Sequence, residues 1–326
     1  MALLTPVSLD DARRLGALYG LDVADARPVL AGSVNTNVEL RLAGGGRAFL
    51  RVYEEQGHEA AAGDARLLAH LAARGVATPR PYPLAGRPDA HVADHAGKPA
   101  AVFPWVDGEI LCQARVTPDA AAQVGEALAR VHLAGASFEG APASRFDVAA
   151  MDRRVRAIRA RELPAGLAEV VDRLEGRLER YRGRAPGPAG KEGAGLVHGD
   201  LFRDNVLWQD GRIAALLDFE SASLESYAFD LMVTILAWCF GDGLSPALAR
   251  AMAQGYARAR PMPEAEAARL YDEGGFAALR FSLTRITDFE LRPRGSGVFK
   301  DYRRFLARMD ALDALGPAGL RAMLDV

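Results

Sequence analysis

Cysteine is nearly missing from this chain: Cys112 and Cys239 are the only two in 326 residues. Neither a disulfide framework nor a cysteine-rich zinc site can be built from them, and a reducing cytoplasm is the expected setting. An excess of charge is lacking too. The formal net charge of −2 argues against nucleic acid as a partner, because phosphate backbones ask for a basic surface. Long apolar runs are also absent. The longest, "LMVTILAWCF" at 231–240, is too short to span a bilayer, so no membrane partner is expected. The opening "MALLTPVSLDDARRL" has neither the basic start nor the sustained apolar stretch of a signal peptide. No internal repeat is evident. What remains is half hydrophobic and one quarter charged, an ordinary globular composition, expected as a monomer or homodimer.

Along the chain the pattern changes character once. "SLDDARRLGALYGL" reads as a helix capped by Ser8. "NVELRLAGG" and "RAFLRVYEE" alternate around Gly44-Gly45-Gly46 as a hairpin. "GDARLLAHLAARG" is a helix ending on glycine, and "KPAAVFPWVDGEIL" a buried strand interrupted at Pro104. Beyond about residue 105 helices dominate: one capped by Thr117 with Pro118 at its first position, then a dense helical pattern over 150–182. Further helices are expected over roughly 226–241, 245–260, 263–290 and 298–324. The expected fold is α+β: a small β-rich N-terminal lobe, residues 1–105, and a larger helical C-terminal lobe, residues 106–326.

The chemistry concentrates in "LVHGDLFRDNVLWQDGRIAALLDFE", residues 196–220. Unpaired carboxylates are costly among apolar strand residues, yet Asp200, Asp204 and Asp218 stand among Val, Leu, Ile and Phe. The runs 205–208 and 213–217 can pair across Asp210-Gly211, which brings Asn205 and Asp218 to one end of a hairpin. An amide oxygen and a carboxylate are hard ligands suited to Mg²⁺, which takes few protein ligands and completes its shell with phosphate oxygens. Asp200, one short loop away, is placed to accept a proton from an alcohol. Asp-x4-Asn followed by a strand-end Asp is the pattern of a phosphoryl-transfer loop. A polar turn with caps is the alternative, and a metallohydrolase would need more His or Cys ligands nearby.

A phosphotransferase also has to hold a nucleotide. Gly32, Ser33 and Asn35 in "LAGSVNTNVEL" offer a turn with backbone N–H groups for phosphates. Arg51 in "AFLRVYEE" supplies a strand cation, in a chain with very few lysines, and Asp64 is its candidate helix partner. Phe103, Trp105 and Val106 offer apolar walls for an adenine ring.

Taken together these pieces resemble the aminoglycoside phosphotransferase/choline kinase-like superfamily, with the nearest likeness to type II homoserine kinases. The likeness runs from "AGSVNTNVEL" through "QVGEALARVHLAG", "HGDLFRDNVLW" and "LLDFESA" to "ALRFSLTRITDFEL". It implies a bilobal protein-kinase-like fold and transfer of the ATP γ-phosphate to a small alcohol, L-homoserine first. Asp200 would be the base, Asn205 and Asp218 would hold Mg²⁺, and His198 would brace the loop. Two departures stand out: Arg51 replaces the usual lysine, and "ILAWC" replaces a more polar "NDWC"-like sequence.

The acceptor is less clearly written. A zwitterion asks for a cation and an acid, and Arg203, Arg280 and Arg285 with Glu220 or Asp288 are candidates, Phe202 beside them. Choline or ethanolamine would want an aromatic cage, an aminoglycoside many carboxylates. A non-catalytic nucleotide-binding module is the reading from another class, motivated by Arg51.

Overall fold

The computed structural model describes residues 5–30, 34–184, 193–292 and 299–326. Two compact units divide them: residues 1–108 with 214–217, and the remainder.

The first unit carries α1 (Leu9–Leu18), β1 (Val23–Pro28), β2 (Thr36–Leu42), β3 (Arg47–Val52), α2 (His58–Ala73), β4 (Val92–His95) and β5 (Lys98–Pro104). Ser8 starts α1 through a capping box: its hydroxyl accepts from the Asp11 N–H while the Asp11 carboxylate accepts from the Ser8 N–H. The strands form one antiparallel sheet in the order β1-β2-β3-β5-β4. Strand alternation sorts its faces. Leu40, Leu50, Val52 and Val102 turn to a core closed by Leu15 of α1. Phe49, Tyr53, Ala101 and Phe103 pack with Leu68 of α2. Arg51, between Leu50 and Val52 in β3, belongs to this second face.

The second unit carries α3 (Pro118–Gly135), α4 (Val148–Arg159), α5 (Leu167–Glu179), β6 (Ala194–Val197), β7 (Val206–Gln209), the start of β8 (Arg212–Leu216, of which 214–216 fall in the first unit), β9 (Ser223–Ser226), α6 (Tyr227–Trp238), α7 (Pro246–Ala259), α8 (Glu264–Ala267), α9 (Leu270–Arg285) and α10 (Arg303–Leu324). β6 pairs with β9 and β7 with β8. Every residue of α6 is buried, as expected of a helix that is apolar on all sides. Among the described residues no helix is long and apolar enough to cross a membrane.

Three helix expectations change. The pattern over 150–182 is two helices parted by Pro164 and Gly166, the latter at φ 79°. The helix expected over 298–324 starts at Arg303 and kinks at Gly316-Pro317, where Gly316 takes φ 64°; proline offers no N–H to continue the ladder. The one expected over 263–290 is α8, a break, α9, and a π-turn at Ile286–Glu290. Apolar periodicity does not resolve such local widening.

α3 and α7 meet through glycine. A Cβ on Gly125 would lie 2.1 Å from the Met252 carbonyl oxygen, and one on Gly255 2.1 Å from that of Ala122. Gly125→Ala should therefore cost about 1–3 kcal/mol by overpacking, read as a lower urea midpoint. Gly176→Ala, at an exposed position of α5 with open space around it, should leave the midpoint unchanged or raise it. Equal midpoints for both variants would contradict this packing.

Candidate active site

After β6 the chain turns through His198-Gly199-Asp200. Gly199 sits at φ 77°, and a Cβ there would meet the Ser221 carbonyl oxygen at 2.7 Å, so a side chain is excluded on both counts. The turn is held from several directions. The His198 and Gly199 N–H groups donate to the two carboxylate oxygens of Asp230 in α6, at 2.7 and 2.8 Å. Arg280 Nη1 of α9 donates to the Gly199 carbonyl at 3.0 Å. The Asp200 N–H donates to His198 Nδ1 at 3.3 Å, and Asn205 Nδ2 to the Asp200 carbonyl at 2.8 Å. Trp238 Nε1 closes the set on the Leu201 carbonyl at 2.9 Å.

Sequence reasoning assigns no site role to Asp230 or to a second histidine, His132 of α3. His132 Nε2 lies 3.0 Å from Asp230 Oδ2, and its Nδ1 lies 2.7 Å from the Tyr256 hydroxyl. That hydroxyl accepts from Arg260 Nη1 at 3.1 Å, and Arg260 pairs with Glu266. The Tyr256 proton therefore points to Nδ1, and Nε2–H to Asp230. Burial pushes His132 below its ordinary value, against the pull of Asp230. Burial works to raise the Asp230 carboxyl, but hydrogen bonds from His132 and the His198 backbone outweigh it and hold it low. A neutral His donating to an ionised Asp is the consistent state. The available signal was an Asp inside an apolar helix and a His inside another, 98 residues apart; one sequence cannot join them.

Asp200 opens into a cavity of about 190 Å³. Four cations line it, Arg145, Arg280, Arg285 and Lys300, against two carboxylates, Asp200 and Asp288. Phe146, Phe202, Phe281 and Phe289 supply apolar walls, Ser221 and Thr284 hydroxyls. Arg280 is 3% exposed, sandwiched between Phe146 and Phe281 at 3.8 and 3.9 Å, and its guanidinium lies 3.9 Å from the Asp200 carboxylate. Burial lowers Arg280 to about 10, partly offset by Asp200. Burial raises the Asp200 carboxyl, with Asp218 adding to it and Arg280 and Lys300 opposing.

The other expected residues divide. Asp218 caps the turn after β8 in the left-handed conformation, φ 60°, sparsely populated outside glycine and enriched at functional positions. Its side chain is exposed and makes no ion pair among the described residues. Asn205 is buried, and with its nitrogen spent on Asp200 it presents oxygen. Arg203 does not line the cavity: its guanidinium donates to the Ala237 carbonyl and to Gln113, satisfying the end of α6. Glu220 is half-buried and not among the lining residues. In the first unit, Arg51 Nε donates to Asn37 Oδ1 at 3.3 Å, and Asn35 Oδ1 accepts from the Glu54 N–H at 3.2 Å. Asp64 is half-buried on α2, Phe103 is buried at the end of β5, and Val106 is half-buried. Trp105 donates to Asp107 and carries the Arg47 guanidinium over its ring at 4.8 Å. Gly32 and Ser33 lie outside the described residues.

Residues 25–271 match the family described as "Phosphotransferase enzyme family". A homoserine kinase of Methylocella silvestris is 33% identical over 325 residues, 98% of each chain. One of Xanthobacter autotrophicus is 36% identical over 264 residues, 78% of this chain and 79% of that one. Among solved structures, an amicoumacin kinase in complex with AMP-PNP and Ca²⁺ aligns at a TM-score of 0.67 and 16% identity, over 94% of this chain and 95% of that one. That last likeness shows the fold.

The His132 network makes a pH prediction. The unfolded chain takes up a proton on His132 near pH 6.5 that the folded protein resists. Stability is therefore full above that pH and declines as pH falls below it. Thermal midpoints between about pH 7.5 and 5 should fall less steeply in His132→Gln than in the wild type. An unchanged slope in the variant would count against a neutral, buried His132.

Proposed function

The chain belongs to the phosphotransferase enzyme family, and from that premise we propose that it transfers the γ-phosphate of ATP to the side-chain hydroxyl of L-homoserine, giving O-phospho-L-homoserine. The observation that carries the acceptor is the cavity holding Asp200: four cations to two carboxylates in about 190 Å³. Clefts for drug-sized ligands run to roughly 300–1,000 Å³, so a small acceptor fits better than an aminoglycoside. A surplus of cations disfavours polyamines and quaternary ammonium groups, and it favours a molecule bearing a carboxylate. The homoserine kinases at 33% and 36% identity point the same way.

Asp200 is the base. It takes the hydroxyl proton as the oxygen attacks phosphorus; burial raises its carboxyl, which suits a proton acceptor, and Arg280 and Lys300 oppose that rise. The backbone hydrogen bonds to Asp230 and Arg280 fix its position before substrate arrives, and His198 braces the turn through Nδ1. Asn205 and Asp218 suit Mg²⁺, an amide oxygen and an exposed carboxylate being hard ligands. Bound there, the ion would neutralise charge on the transferring phosphoryl group. For the first unit we propose nucleotide binding through Gly32, Ser33, Asn35, Arg51 and Asp64, with Phe103, Trp105 and Val106 against the adenine. The free cysteines, Cys112 and Cys239, fit work in a reducing cytoplasm, as a monomer or homodimer.

Asp200→Asn should lower ADP release with homoserine by about 10²–10⁴-fold with an unchanged thermal midpoint. Turnover near the wild-type rate would remove Asp200 from the chemistry.

A further inference from the structure

The cavity face of α9 and of the π-turn that follows it is built from three successive pairs: Arg280 and Phe281, Thr284 and Arg285, Asp288 and Phe289. Each pair follows the last by four residues. On an α-helix of 3.6 residues per turn, each four-residue step overshoots a full turn by about 40°, so the third pair would swing off the face by about 80°. The π-turn at Ile286–Glu290 is wider than an α-helical turn, which reduces the drift at the last step, and Asp288 and Phe289 line the cavity. Such turns are frequent at functional sites.

The two charged members of the last pairs are only partly engaged. Asp288 Oδ1 accepts from Arg154 Nη1 at 2.8 Å and from the Thr287 hydroxyl at 2.9 Å; no donor to its other oxygen is found among the described residues. Arg285 donates to the Asp301 carbonyl at 2.9 Å and lies over the Phe305 ring at 4.5 Å. It makes no ion pair among the described residues, and Arg304 stands near it as a like charge. Of the other cations, Arg280 is committed to Gly199, Arg145 reaches Ser221 Oγ at 3.4 Å, and Lys300 is exposed. Arg285 and Asp288, three residues apart, line the same cavity. An α-amino acid carries its ammonium and carboxylate on one carbon, which suits such a pair.

We infer that the end of α9 and the π-turn after it read the acceptor as an α-amino acid: Asp288 binds the α-ammonium and Arg285 the α-carboxylate, with the side-chain hydroxyl directed to Asp200. This rests on the homoserine reading and assigns its specificity to the π-turn. The cavity then selects a zwitterion bearing a hydroxyl, and an alcohol missing either charged group is a poor acceptor.

The test compares L-homoserine with 4-hydroxybutyrate, which lacks the ammonium, and 3-aminopropan-1-ol, which lacks the carboxylate. Asp288→Asn keeps the acceptor oxygen used by Arg154 and Thr287. It should lower kcat/KM for homoserine by about 10–100-fold, chiefly through KM, and change that for 4-hydroxybutyrate less than about twofold. Arg285→Met should show the mirrored pattern, sparing 3-aminopropan-1-ol. Loss by one common factor on all three acceptors, or an unchanged KM for homoserine, would overturn the assignment while the wild type still phosphorylates homoserine. A wild type silent on homoserine but active on another alcohol would overturn the underlying reading, and the assignment with it.

Discussion

The site depends on one carboxylate that touches no reacting atom. Asp230 is fully buried in an apolar helix, where an unpaired charge would be prohibitive. Three donors make it tolerable: the His198 N–H, the Gly199 N–H and His132 Nε2. The same bonds fix the turn that presents Asp200, so stabilising the charge and positioning that side chain are one arrangement. Gly199 follows from it. With both N–H groups directed at Asp230 and Ser221 at its back, the backbone takes a positive φ and leaves no room for a Cβ.

Arg280 carries the complementary tension. A guanidinium 3% exposed between two phenylalanine rings gains cation–π attraction but loses hydration, and its Nε has no hydrogen-bond partner among the described residues. A side chain chosen for stability alone would satisfy that nitrogen. Its position is explained by what it serves: the Gly199 carbonyl on one side and the Asp200 carboxylate on the other.

Much of this was legible in the sequence, and the limits have physical causes. His198, Asp200 and Asn205 fall within a single short segment, where spacing reports directly on which groups meet, and the Asp-Gly turn leads from there to Asp218. The caps at Ser8 and Thr117 and the paired strands β2 and β3 are likewise local signals. Arg203 misled because adjacency along the chain is not adjacency in space: its side chain leaves the loop to satisfy the end of α6. His132, Asp230, Phe146 and Lys300 reach the site or its support from distant segments, and nothing in one sequence couples them. The π-turn escaped for another reason, since widening one turn changes which face residues share without changing their order.

The central claim is that this family member phosphorylates an amino-acid hydroxyl with ATP. Phosphorus-31 NMR of a reaction containing the protein, MgATP and L-homoserine tests it most directly. The account predicts a new phosphomonoester resonance, split by the adjacent methylene protons and growing as ADP appears. ADP with inorganic phosphate alone, or no phosphoryl transfer to homoserine while another alcohol is phosphorylated, would contradict it.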